Sequence, residues 1–572
     1  MINFRQYPNC TKIVIPSDIS LSTTNFCGAF AEMKNLQYLD IDKSIENKID
    51  MISNGYSSGA LCSSCINLIN RAICGDNVTD MVYAYQNCTN LTTAVCGNNV
   101  INMSYAYNNC NNLTAAVCGD KVTSMYDAYQ KCTNLTTAVC GNNVTNMSGA
   151  YSDCTNLTTA VCGDKVTNMS WTYDGCTNLT TAVCGDKVTN MSWTYNNCTS
   201  LTTSACGPNV TSMGYAYSDC TSLTTAVCGN NVTNMVYAYQ NCTNLTTAAC
   251  GDKVTDMSGA YSSCTNLTTA VCGPNVTNMS SAYDGCYNLT TAVCGPNVTN
   301  MSSAYTYCSS LTTAVCGPNV TNMSSAYSDC TSLTTAVCEN NVTNMYYAYS
   351  GCINLTTAAC GNKVINMYWA YYNCMNLTTA VWGNIVTDMS SAYSSCKSLT
   401  TAACGNNVTS MYYTYSGCTS LTTAVCGPNV TNMTGAYRGC TNIQGDTYFY
   451  SSNISSIGNC FYNRNTSNML NIYVQENSTT MNTCLINNTD SITGSTITWT
   501  NDFTNNRYYN TSANIYIYPV ANVYKAKETA ILQDFTYDDN GDGTYTLTGW
   551  KETYQGKPST EMVIPDSPNI II

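Results

Sequence analysis

Cysteine is the first residue type here that could do chemistry: the chain holds 39. A thiol can bind metal, form a disulfide, attack a substrate or fill a core. Thirty-three of them fall into two series with a period of 22 residues, Cys88 to Cys440 and Cys74 to Cys426, the second broken once by Trp382. Cys62-Ser63-Ser64-Cys65 is the only C-x-x-C, and neither a second pair nor a histidine completes a zinc site around it. Two ladders of buried thiols are the favoured reading. Disulfides between neighbouring copies stay open, because strand spacing of about 4.8 Å lies within the Cα range a disulfide accepts. Trp382 would orphan one partner in any strict pairing scheme.

Histidine is absent, which removes the commonest general base and metal ligand together. No nucleophile–base pair, phosphate loop or pair of carboxylates stands out, so the chain reads as non-enzymatic and without a cofactor. Asp538-Asp539-Asn540-Gly541-Asp542-Gly543 resembles the start of a calcium loop, with Asp538, Asn540 and Asp542 as candidate ligands. Its twelfth position is Gly549, not the bidentate Glu such a loop needs, and a hairpin turn explains the same letters. N-x-S/T triplets such as Asn87-Cys88-Thr89 and Asn90-Leu91-Thr92 recur in nearly every copy. Side-chain hydrogen-bond ladders account for them more simply than glycosylation does.

These residues must be positioned by the repeat itself. Met recurs every 22 residues from Met81 to Met433. Counting from each Met (M), Tyr stands at M+4, Cys at M+7, Leu at M+10 and the second Cys at M+15. Identical positions meet in stacked copies, so the invariant Val, Met, Ala, Tyr, Cys and Leu face inward and the variable positions face outward. The stretch L-T-T-A-V-C-G predicts one short strand per copy, ended by Gly, and S-A-Y-S-D-C predicts a helical turn or tight bend. The expected fold class is a repeat solenoid, mainly β with short helical turns, on the order of 80 Å long at parallel-strand spacing.

The variable residue at M+2 is the best functional clue. It reads Tyr83, Tyr105, Asp127, Gly149, Trp171, Trp193, Tyr215 and Tyr237, with Tyr347 and Trp369 further on. Outward rings in a row suit a sugar or a protein partner, or a second copy of the chain. A net charge of −13 disfavours nucleic acid, and no run of 18 apolar residues predicts membrane insertion.

The unit A-Y-x-x-C-x-x-L-x-x-A-x-C-G-x-x-V-T-x-M resembles the BspA-type leucine-rich repeat. Ala29-Phe30-Ala31-Glu32-Met33-Lys34-Asn35-Leu36-Gln37-Tyr38-Leu39-Asp40-Ile41 is closer to that family's pattern than the central copies, which exchange Tyr for Phe and Cys for Ile. The resemblance covers roughly residues 1–443 and implies a parallel solenoid used in adhesion or surface recognition. Thr544-Tyr545-Thr546-Leu547-Thr548-Gly549-Trp550-Lys551, followed by Val563-Ile564-Pro565, is similar to the ends of repeat proteins encoded by bacteriophages of gut bacteria. Residues 1–8 show no basic segment followed by an apolar run, which fits release by lysis.

The expected organisation is an N-terminal cap with degenerate repeats (1–73), a repeat solenoid (74–443), a C-terminal cap (444–520) and a small β-domain (521–572). The expected role is a virion fibre or decoration protein that binds a host cell-surface glycan or protein and contacts other virion proteins. A bacterial adhesin and a structural filament subunit are the alternatives.

Overall fold

The computed structural model describes residues 4–20, 26–46, 61–69, 72, 74–358, 360–383, 385–486, 491–496 and 498–524, together with the backbone of strands at 535–539, 545–550 and 570–571. These form two compact units, Met1–Val320 and Thr321–Ile572.

Within each unit the 22-residue copies are coils stacked one on the next. Val at M−3, Met, Tyr, Cys at M+7 and Leu at M+10 are completely buried in coil after coil, as with Val122, Met125, Tyr129, Cys132 and Leu135. No single coil could hide this set, and stacking makes the core continuous.

The inter-coil ladder lies in a different place from the one the pattern suggests. Met125, Asp127, Tyr129 and Lys131 each donate a backbone N–H to the next coil, at the carbonyls of Asn146, Ser148, Ala150 and Ser152, over 2.7–2.9 Å. The segment expected to make a helical turn or tight bend is a run of turns whose alternate amides point along the stack. Asp127 and Lys131, at M+2 and M+6, have φ of 48° and 62°. That left-handed conformation recurs at both positions in every described coil, from Tyr83 and Asn87 onward.

The L-T-T-A-V-C-G segment makes isolated parallel bridges instead of a strand, for example Thr137 with Thr159. The reason is the tyrosine. The Tyr107 hydroxyl donates to the Val95 carbonyl at 2.6 Å and accepts from the Val95 amide at 3.0 Å. Tyr129 holds Val117 and Tyr151 holds Val139 in the same way. Both backbone groups that could extend the ladder at M+14 are taken by a side chain. A buried phenol needs such a partner, and a buried peptide group needs one too.

Regular strands appear at the ends. In the first unit, β1 (Lys12–Ile15) pairs in parallel with β2 (Tyr38–Ile41), followed by the one-turn helix α1 (Lys43–Glu46). In the second unit, β3 (Gly445–Tyr448), β4 (Leu470–Gln475), β5 (Thr500–Asp502), β6 (Arg507–Asn510) and β7 (Ile515–Val520) form one sheet in the order β3-β4-β7-β6-β5. Helix α2 (Thr479–Cys484) is capped by Ser478, whose hydroxyl accepts from the Met481 amide. A separate sheet holds β8 (Phe535–Asp539), β9 (Tyr545–Trp550) and β10 (Ile570–Ile571).

Candidate functional site

Two positions per coil are left-handed, and the residues they carry differ in kind. Position M+6 holds mostly Asn, Asp, Ser and Gly, such as Asn87, Asp153, Gly175 and Ser263. These residues tolerate positive φ best. Position M+2 carries Tyr83, Tyr105, Trp171, Trp193, Tyr215, Tyr237, Tyr347, Trp369 and Tyr413 at φ between 51° and 62°. An aromatic residue there costs roughly 1 kcal/mol that glycine would not. The backbone does not select those rings.

The rings stack on one another along each run. Tyr83 lies 4.7 Å from Tyr105 between centroids. Trp171, Trp193, Tyr215 and Tyr237 follow at 4.5, 3.9 and 4.9 Å. In the second unit Tyr347 stacks on Trp369 at 5.4 Å and 3°. Each M+2 side chain leans over the M+2 residue of the following coil. One run and the lone Tyr413 are followed by glycine: a Cβ on Gly259 would sit 2.2 Å from the Tyr237 ring, and one on Gly435 would sit 2.8 Å from Tyr413. Stacking turns ring edges outward and consumes most ring faces. All eight sequence-predicted rings are in these runs. Trp171 is the most exposed of them, at 43%.

Sequence reading missed the row beside them. Tyr126, Tyr346, Tyr368 and Tyr412 at M+1 are exposed or half-buried. Tyr346 stacks on Tyr368 at 5.6 Å and meets Tyr347 edge-on at 4.6 Å. The signal was present as Met-Tyr-Tyr and Met-Tyr-Trp, of which only the second aromatic was weighed. Asp127 interrupts the M+2 row of rings. Its carboxylate lies over Gly149, and burial raises its pKa against the lowering influence of the nearby Tyr105 phenol.

The cysteines are present as thiols. Those at M+7 are buried donors: Cys110 Sγ–H reaches the Tyr85 carbonyl at 3.1 Å and Cys132 the Tyr107 carbonyl at 3.0 Å. Burial pushes Cys110 up to about 12. Cys62 and Cys65 occupy the M+4 and M+7 places of a coil, and Cys65 donates to the Phe30 carbonyl at 3.0 Å like its successors. Cys62 is pushed up by burial as well. The M+15 thiols lie nearer the surface. Cys74 Sγ accepts from the Gly97 amide at 3.1 Å, and a Cβ on Gly97 would come within 2.9 Å of that sulfur. Trp382, at the same position, is 40% exposed, so the ladder tolerates a bulky residue by letting it out.

Asn side chains form the expected ladders: Asn109 Nδ2 donates to Asn87 Oδ1 at 3.0 Å, and Asn112 Nδ2 to Asn90 Oδ1 at 3.3 Å. Asp538 lies on β8, next to Asp539, which pairs with Tyr545 of β9. Asn540 and Asp542 lie outside the described residues. Among the described residues no group of three or more His, Cys, Asp or Glu side chains is placed to hold a metal ion. Among them, too, no helix is long and apolar enough to cross a membrane.

Stacked coils that each add one Leu, one thiol and one ring to a shared core, with a parallel backbone ladder between them, define a leucine-rich-repeat protein. The chain belongs to the BspA-type leucine-rich repeat family, whose six-copy region model matches residues 60–180, 149–268, 236–356 and 324–444. Members of that family are typically surface-exposed, and their role is binding or structural; no catalytic family is indicated. Among solved structures, the chain is similar to a leucine-rich repeat protein from Bacteroides ovatus, at 15% identity, over 57% of this chain and 80% of that one, with a TM-score of 0.43. It is also similar to a leucine rich cell surface protein from Faecalibacterium prausnitzii, at 21% identity, over 53% and 86%, with a TM-score of 0.34. A third is the functional domain of InlJ from Listeria monocytogenes, described as including a cysteine ladder, at 14% identity, over 68% and 86%, with a TM-score of 0.17. No curated protein matches the chain.

Proposed function

We propose that this chain is a non-enzymatic surface-recognition protein whose M+2 aromatics meet a host cell-surface glycan or protein. The observation that carries the reading is the contrast between the two left-handed positions: M+6 follows backbone preference, and M+2 repeatedly sets it aside to hold Tyr or Trp. Rings kept at a backbone cost and left half-exposed are ligand-facing groups. The carrier we propose is a bacteriophage virion, with the chain as a fibre or decoration protein alongside other virion proteins. The similarity of residues 544–565 to phage-encoded repeat proteins supports it. Family membership supports a BspA-like bacterial adhesin as well. Self-association through the same rings would give a homo-oligomer.

Two experiments test this reading. Trp171→Ala combined with Trp193→Ala should weaken binding to bacterial cells or mucosal glycans while the thermal melt stays cooperative; undiminished binding would remove the aromatic stripe from consideration. Immunogold labelling of phage particles and of cell envelopes from one culture then separates the two carriers.

A further inference from the structure

We infer that the open face of Trp171, together with Asp127 across Gly149, is a subsite for a neutral hexopyranose. The inference rests on the surface-recognition reading and narrows it to one place and one ligand class.

Stacking leaves few ring faces free. In the run from Trp171 to Tyr237, the inner faces cover one another at 3.9–4.9 Å, and the last face closes over Gly259. The first face, on the Gly149 side of Trp171, has no ring against it. Gly149 leaves a gap at M+2, and the space over its Cα is taken by Asp127 Oδ1, which would sit 1.8 Å from any Cβ added there. The run thus begins with an exposed indole face next to the coil over whose Gly149 the Asp127 carboxylate lies. The Tyr347 run begins differently. There Tyr346 and Tyr368 meet Tyr347 edge-on, and no carboxylate stands in the M+2 row before it, where Ser325 is found.

This pairing fits a sugar. The C–H face of a pyranose lies flat on an indole, and its rim of hydroxyls needs an acceptor at the side. The two oxygens of the Asp127 carboxylate have lone pairs for two such hydroxyls. A chain of net charge −13 opposes sialylated or sulfated glycans. A quaternary ammonium would need rings on several sides, and one flat face does not enclose it.

The test is a panel of immobilised neutral, sialylated and sulfated oligosaccharides, probed with the full chain and with Trp171→Gly, Asp127→Asn and Tyr287→Ala. Glycine suits the φ of 61° at position 171, so the backbone is kept, and an undiminished thermal melt verifies it. A neutral oligosaccharide should bind, and Trp171→Gly and Asp127→Asn should each weaken it about tenfold. Tyr287→Ala, an exposed tyrosine away from the run, should leave it unchanged. Neutral-glycan binding that survives Trp171→Gly overturns the subsite. So does a wild-type chain that binds no neutral glycan, or one whose indole fluorescence responds to choline instead. Binding to intact bacterial cells judges the wider reading: if it is lost when all M+2 rings are replaced, recognition by the stripe stands even where the subsite fails. If it is unaffected by that replacement, both fall.

Discussion

Coils at the two ends and coils in the middle solve one problem in two ways. In the first unit Phe4 and Phe30 stack at 5.0 Å, and the backbone beside them forms the paired strands β1 and β2. In the second unit Phe461 takes the ring position after Tyr437, at 5.7 Å. There Tyr448, which the Cys426–Phe449 bridge aligns with Val425, pairs with Tyr473 in β3–β4. Between them the ring is Tyr, its hydroxyl holds both backbone groups at M+14, and the ladder shrinks to single bridges. One oxygen atom per coil decides whether backbone pairs with backbone or with a side chain. The exchange of Leu39 and Ile41 for Ala and Cys in the central coils belongs with it, since a smaller neighbour leaves room for the longer ring.

The thiols and phenols give the largest way to break this contrast. Cys110, Cys118 and Cys250 have pKa values pushed up to about 12 by burial, and buried Tyr107 and Tyr129 are raised too. A raised acid keeps its proton in the fold while the unfolded chain loses it. The stability from these groups is therefore complete below about pH 9, the unfolded thiol range, and lost as pH rises toward 12. Circular dichroism with tyrosinate absorbance should show cooperative alkaline unfolding in that window. A central stack still intact at pH 12 would contradict it.

Next in size is Arg464. It stands at the M+7 place of the Phe461 coil, where every central coil has Cys, and is buried. Its guanidinium donates to the carbonyls of Ile443, Asn465, Asn468, Ala513 and Asn514. Arg464→Ala would strand several of these and should cost about 3–5 kcal/mol in denaturant melts of the chain. A loss under 1 kcal/mol would mean that water replaces the guanidinium freely.

Tyr217→Phe sharpens the comparison directly. It removes the hydroxyl from the Ala205 amide and carbonyl, and should cost about 1–3 kcal/mol. If the melt is unchanged and amide exchange at Ala205 slows, a regular strand has formed there and the tyrosine is dispensable. The smallest expected effect is a near-cancellation: in Trp171→Gly, relief of the left-handed backbone, roughly 1 kcal/mol, is offset by the lost stacking on Trp193, so the melt should move by less than about 1 kcal/mol.

Much of this was legible because each position meets its own copy. The 22-residue period of Met, Tyr, Cys and Leu marks the core correctly, and the variability at M+2 marks an outward residue. The backbone was misread. L-T-T-A-V-C-G has strand composition, and S-A-Y-S-D-C has turn composition, yet the continuous ladder runs through the second. Composition reports side-chain preference, whereas the ladder follows from left-handed residues at M+2 and M+6 that turn alternate amides along the stack. Arg464 was hidden because its coil departs from the repeat pattern that identified the others.

The sequence by itself determined the repeat length, the inward set and the family, because period and burial are carried by residue type alone. The tertiary structure decided which faces remain free. Whether a Trp stacks on a neighbour, closes over a glycine or stands open beside a carboxylate depends on the residue 22 places away, and on the direction in which each side chain leans.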